Sequence, residues 1–194
     1  MSLPNKLTVA RLILSPLLFV VFFLPAWTGS FRVGSLVICW LIFAIIEASD
    51  VLDGHLARKW DLISDIGKVL DPFADVVSRM TYFICFTGAG IMPIWVLTIL
   101  IYRELAITFM RLLQYRKGVA MAASFWGKLK AVTYAVSGVA GFLVISFDWL
   151  GWLPGMHRSF TLLAQGIFIL AAIASVGSFF TYLRTMIREQ KSTT

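Results

Sequence analysis

Glu47-Ala48-Ser49-Asp50-Val51-Leu52-Asp53-Gly54-His55-Leu56-Ala57-Arg58 and, nine residues on, Gly67-Lys68-Val69-Leu70-Asp71-Pro72-Phe73-Ala74-Asp75 decide how this chain is read. Apolar runs flank both stretches, Leu36–Ile46 before the first and Met80–Phe86 after the second. Seven of the ten acidic residues fall between positions 47 and 75: Glu47, Asp50, Asp53, Asp61, Asp65, Asp71 and Asp75. On helices, Asp50 and Asp53 (i,i+3) share one face, and so do Asp71 and Asp75 (i,i+4). A carboxylate within a membrane helix costs about 2.5–3.5 kcal/mol on insertion scales, so several in adjacent spans need a compensating partner.

The rest of the chain says that the surroundings are a membrane. Of its 194 residues 59% are hydrophobic and 14% charged, and the mean hydropathy is +0.86. A soluble domain is about 45–50% apolar and about 25% charged. A soluble protein of 21.7 kDa needs far more polar side chains to cover its exterior. Disorder and a disulfide scaffold are excluded by the wealth of large apolar residues and by only two cysteines. With about 20 residues per span, the sequence predicts six transmembrane helices near 10–26, 34–57, 68–89, 92–112, 129–150 and 160–184. Turns fall at Pro25–Ser30, Gly88–Pro93 and Gly151–Gly155. The spans lack period-2 alternation and are too long for barrel strands, so the predicted fold is all-α. One integral membrane domain over 1–194 is expected, its first helix uncleaved and preceded by a short interfacial segment, Pro4 to Arg11.

The net charge of +7 does not indicate nucleic acid, because of where the charges lie. With a cytoplasmic N-terminus, all basic residues except Arg32, Arg158, Arg79 and Arg103 fall on the inner side or near it. That asymmetry predicts that both termini are cytoplasmic. Most of these cations serve topology and attraction to anionic headgroups. Cys39 and Cys85 read as packing residues, and His55 and His157 form no cluster.

The sequence predicts that the second and third helices are antiparallel neighbours across a short cytoplasmic loop, so that their carboxylate pairs converge just inside the inner face. No Cys accompanies them and His55 forms no cluster, so the four Asp carboxylates make an all-oxygen ligand set that suits one or two Mg²⁺ or Mn²⁺ ions with positions left for phosphate oxygens. The structural alternative pairs these acids with Arg58, Lys68, Arg79 or Arg103. Gly54, Ala57 and Gly67 admit either a ligand approaching the backbone or close helix packing. A cation or proton transporter also places acids in helices, but the outer halves of these spans offer almost no polar path.

The pattern Asp50-x2-Asp53-Gly54-x2-Ala57-Arg58-x8-Gly67-x3-Asp71-x3-Asp75 resembles the signature of the CDP-alcohol phosphatidyltransferases, and every motif position matches. The resemblance implies a six-helix membrane enzyme that transfers a phosphate-bearing group from a CDP-linked donor to an alcohol and releases CMP. It implies that Asp50, Asp53, Asp71 and Asp75 hold the metal, that Asp75 is the general base, and that Gly54, Ala57, Arg58 and Gly67 line the CDP moiety. Three further segments look like the phosphatidylglycerophosphate synthase branch: Pro4-Asn5-Lys6-Leu7-Thr8-x2-Arg11, Arg103-Glu104 with Arg111, and Ser124-x2-Gly127-Lys128-x-Lys130. The expected substrates are then CDP-diacylglycerol and glycerol 3-phosphate, with Arg103, Arg111, Lys128 and Lys130 binding the acceptor phosphate; the structural alternative for Arg103 is a salt bridge to Glu104 or to the Asp cluster. Inositol phosphate, phosphatidylglycerol and serine are the alternative acceptors. One position departs from the branch, Val76 standing where a lysine commonly follows the last motif Asp, with Arg79 nearby. A homodimer in a bacterial or mitochondrial inner membrane, with the active site at the cytoplasmic face, completes the expectation.

Overall fold

A computed structural model describes residues 3–60, 65–116 and 125–192, with side chains over 6–50, 70–111 and 126–187 apart from Pro154. The described residues are all-helical: α1 (Leu3–Thr28), α2 (Arg32–Trp60), α3 (Asp65–Gly88), α4 (Ile94–Arg116), α5 (Phe125–Trp149) and α6 (His157–Ser192), with a 3₁₀ turn at Pro154–Met156 before α6. Each predicted span has its helix. Four are long and apolar enough to cross a membrane: Lys6–Thr28, Arg32–Asp50, Trp126–Trp149 and His157–Ile187. The other two, α3 and α4, have 24 and 23 residues. At 1.5 Å per residue either reaches about 35 Å, enough for a hydrocarbon core of about 30 Å. What sets them apart is charge: α3 carries Asp71, Asp75 and Arg79, and α4 carries Arg103, Glu104 and Arg111.

The interfacial segment expected at Pro4–Arg11 is not a separate element but the first turns of α1, which runs without a break from Leu3. Hydropathy marks where lipid begins, not where a helix does. Thr8 and Arg11 are polar, yet both are buried within the bundle, and the helix continues through them. Likewise α6 runs past its predicted span, to Ser192.

Two trios of helices meet. Within one, α1 packs on α2 and α3; within the other, α6 packs on α5 and α4. They join through α3 on α4, α2 on α5 and α3 on α5. Aromatic rings fill much of the joint: Phe86 and Phe43 both lie against Phe142, at 5.0 and 4.9 Å between centroids. Gly141 and Gly138 on α5 make room for the Phe86 and Phe43 rings, which a Cβ at either position would strike. By contrast, large apolar side chains such as Leu41, Leu170 and Ile173 face outward, each more than half exposed. An apolar exterior around a core holding buried Arg11, Arg79, Arg103 and Glu104 is the distribution a lipid environment selects. The turns are tight. Gly151 closes α5 at a φ of +66°, donating its N–H to the Asp148 carbonyl at 3.2 Å.

Candidate active site

Three helices build an acidic cluster at one end of the first trio. Asp50 comes from α2, and Asp71 and Asp75 come from α3, one turn apart. Arg11 of α1 reaches all three: Nη1 donates to Asp50 at 3.2 Å and to Asp75 at 2.8 Å, and Nη2 pairs with Asp71. Arg79, one turn beyond Asp75, donates from Nη2 to Asp50 at 2.8 Å and lies 3.7 Å from Asp75. Thr8 donates to Asp71 at 3.4 Å. Ser15 holds α1 in this register, with Ser78 of α3 at 2.9 Å from its hydroxyl. Arg11 has no exposed surface, while the three Asp side chains are 30–44% exposed. A charge so deeply buried requires such partners.

This geometry bears on whether a divalent ion fits. Among the described residues, no three acids already stand at metal-ligand separation. The carboxylates are instead drawn around one guanidinium, so oxygens from two helices already face a common cation. That donor set is hard and all-oxygen, matching Mg²⁺ or Mn²⁺ rather than a soft metal.

A second cluster occupies the other trio. Glu104 of α4 is buried, and its Oε1 accepts from Arg103 Nη1 at 2.8 Å, from Lys130 Nζ at 2.6 Å and from the Tyr134 hydroxyl at 2.9 Å. Arg103 also donates from Nε to the Ser175 carbonyl at 3.2 Å and from Nη2 to the Ser178 hydroxyl at 2.8 Å. The Tyr134 and Ser175 hydroxyls lie 2.8 Å apart. Side chains from α4, α5 and α6 are thereby tied to one carboxylate. Arg111, two turns along α4 from Arg103, is exposed; it donates to the Tyr182 hydroxyl at 2.8 Å and lies over that ring at 5.4 Å.

One cleft joins the two clusters. Its walls include Asp75, Val76 and Arg79 from α3, Arg103, Glu104, Thr108 and Arg111 from α4, and Lys130 and Tyr134 from α5. The Tyr134 ring marks the seam, with Lys130 Nζ at 4.7 Å from its centroid and Arg79 Cζ at 5.9 Å.

Of the residues singled out from sequence, Asp50, Asp71 and Asp75 are brought together, and Arg103, Arg111 and Lys130 share the cleft with Asp75. Lys128 does not line it and is exposed, for two residues apart on a helix Lys128 and Lys130 point different ways. Asp53, Gly54, Ala57, Arg58 and Gly67 lie outside the residues whose side chains are described. Sequence reasoning counted Arg11 with the topology charges, and the acid cluster is where it belongs. A signal was present: Thr8, Arg11 and Ser15 form an i,i+3,i+7 polar stripe on one face of an otherwise apolar helix. Glu104 and Tyr134 were not assigned to the site, and no spacing rule links residues 30 positions apart.

Residues 1–177 match the family model described as CDP-alcohol phosphatidyltransferase. A CDP-diacylglycerol–glycerol-3-phosphate 3-phosphatidyltransferase of Treponema pallidum is 29% identical over 199 residues, spanning 95% of this chain and 89% of that protein. A Bacillus subtilis protein of the same name is 35% identical over 135 residues, 66% of this chain and 70% of its own. A CMP-forming cardiolipin synthase of Streptomyces coelicolor is 32% identical over 161 residues, 82% and 72% respectively. The family match runs from α1 into α6 and takes in every helix that contributes to the cleft. On that match this chain belongs to the CDP-alcohol phosphatidyltransferase family.

Proposed function

We propose that the protein transfers the phosphatidyl group of CDP-diacylglycerol to glycerol 3-phosphate, giving phosphatidylglycerophosphate and CMP. The observation that carries this is the cleft itself, where Asp75, the member of the acid cluster that lines it, faces a cation-rich wall at Arg103, Lys130 and Arg111. The names of the Treponema and Bacillus relatives support the same pair of substrates. The acid cluster, with Asp53 as a fourth carboxylate, is assigned to one or two Mg²⁺ or Mn²⁺ ions, which when bound neutralise diphosphate oxygens and the leaving group. Gly54, Ala57, Arg58 and Gly67 are assigned to the CDP moiety. Asp75 takes the proton of the attacking hydroxyl, whose oxygen bonds to the lipid-bearing phosphorus while the bond to the CMP oxygen breaks. Lys130 and Arg111 face a phosphorylated acceptor; Lys128, the remaining member of the expected acceptor set, is exposed outside the cleft and is assigned only a minor, long-range share. Arg103, tied to Glu104 and Ser178, gives the wall its shape as well as its charge.

Val76 occupies the position where the branch commonly has lysine, and Lys130 lines the same cleft from α5, so an ammonium is available there from another helix. The membrane reading has all six helices spanning, both termini cytoplasmic, the site at the cytoplasmic face of a bacterial or mitochondrial inner membrane, and two copies assembling. The Streptomyces relative favours one second reading, phosphatidylglycerol as acceptor and cardiolipin as product. Purified protein given CDP-diacylglycerol, Mg²⁺ or Mn²⁺ and a panel of acceptors decides between them. CMP release that depends on glycerol 3-phosphate and stops with EDTA is expected. Release with phosphatidylglycerol alone replaces the acceptor and keeps the transferase.

A further inference from the structure

We infer that Glu104 is a positioning residue for the acceptor, holding Lys130 and Arg103 in the orientation that a phosphate monoester meets; this rests on the acceptor assignment above. The carboxylate is buried, and three donors from two helices converge on its single oxygen Oε1: Arg103 Nη1, Lys130 Nζ and the Tyr134 hydroxyl. An acid placed inside a phosphate pocket opposes the ligand by charge. Its presence calls for another account, and the contacts supply one.

Arg103 is adjacent to Glu104 in the chain, so their side chains leave α4 in directions about 100° apart. Their 2.8 Å pair therefore requires the guanidinium to fold across the helix surface. Ser175 and Ser178 of α6 take two further N–H groups and complete that pose. Lys130 has a long flexible stem whose ordering costs rotamer entropy, and its ammonium is drawn to Glu104 at 2.6 Å beside the Tyr134 ring. Two cations held by one carboxylate retain one net positive charge, and Arg111 at the cleft mouth adds another. Glu104 thus lowers the mutual repulsion of its two neighbours and leaves charge to match a phosphate dianion. Tyr134 extends the arrangement to α6 through Ser175, so the cationic wall is tied to the bundle as one unit.

Glu104→Gln keeps the size and removes the charge. Steady-state kinetics in nanodiscs are expected to show the acceptor KM rising about tenfold or more while the CDP-diacylglycerol KM changes less than twofold. Tyr134→Phe is expected to move the acceptor KM by a smaller factor in the same direction. The second readout needs no substrate: labelling of Lys130 by an amine-reactive reagent, followed by mass spectrometry, is expected to be several-fold faster in Glu104→Gln than in wild type. Unchanged labelling overturns the proposal, and so does an equal rise in both KM values. If wild type turns over with an acceptor other than glycerol 3-phosphate, the proposed substrate falls. The KM comparison is then made with that acceptor, and the labelling result stands by itself.

Discussion

The Arg11 cluster on α1–α3 and the Glu104 cluster on α4–α6 use the same chemical groups in opposite proportions. In the first, three described carboxylates surround two guanidiniums, so negative charge is in excess. In the second, two cations share one carboxylate, so positive charge is in excess. Exposure differs too: the Asp side chains are 30–44% exposed, while the Glu104 side chain is 4% exposed. An accessible acidic cluster suits a cation that comes and goes, whereas a buried, fully paired carboxylate suits a fixed support. The difference teaches that the sign of the local excess, rather than the number of charges, distinguishes the two clusters.

The sharpest way to break the comparison is at Asp75, the carboxylate that belongs to the first cluster and faces the second. Asp75→Asn keeps the shape but accepts no proton, and transfer is expected to fall by roughly 10³-fold. Retained binding of CDP-diacylglycerol, measured by calorimetry, confirms that chemistry and not folding is lost; near-normal turnover removes Asp75 from the role of base.

Arg11→Met tests whether the acids need their internal cation. Removing one partner of a buried ion pair costs about 3–5 kcal/mol, and the partial exposure of these Asp residues places the expected loss at or below the lower end. Thermal unfolding of the variant in EDTA is expected well below wild type, with Mg²⁺ recovering part of the difference. Equal stability in both conditions shows that Arg11 does not hold the carboxylates. On the cationic side, Arg111→Ala removes an exposed guanidinium at the cleft mouth and is expected to raise the acceptor KM several-fold, with the donor KM unchanged. Lys128→Ala is the smallest change: an exposed side chain away from the cleft is expected to shift the acceptor KM by less than twofold. A larger shift at Lys128 than at Arg111 reverses the assignment of that wall.

How far the sequence was legible varies from residue to residue, for physical reasons. The helices over the six apolar runs were readable because a membrane admits few alternatives to a hydrogen-bonded helix. Asp50, Asp71 and Asp75 stood out because acids are costly there, and their spacing placed each pair on one face. Where α1 begins is not legible, because hydropathy falls at Thr8 and Arg11 although the helix continues through them. Arg11 itself was assigned to topology, since an arginine near an N-terminus looks the same whether it meets headgroups or three aspartates.

By itself, then, the sequence determined an all-helical, membrane-type chain with its acids concentrated in α2 and α3, because composition and helical period act locally and are written along the chain; that α1 packs on both, in place of α2 directly on α3, was for the tertiary structure to decide. The tertiary structure alone decided which cations those acids meet, that Lys130 and not Lys128 enters the cleft, and that Glu104 gathers residues from three helices with Tyr134 and Ser175. Lys130 and Glu104 are 26 positions apart, and Arg11 and Asp75 are 64 apart, so packing of one helix on another, and no local rule, sets the distance.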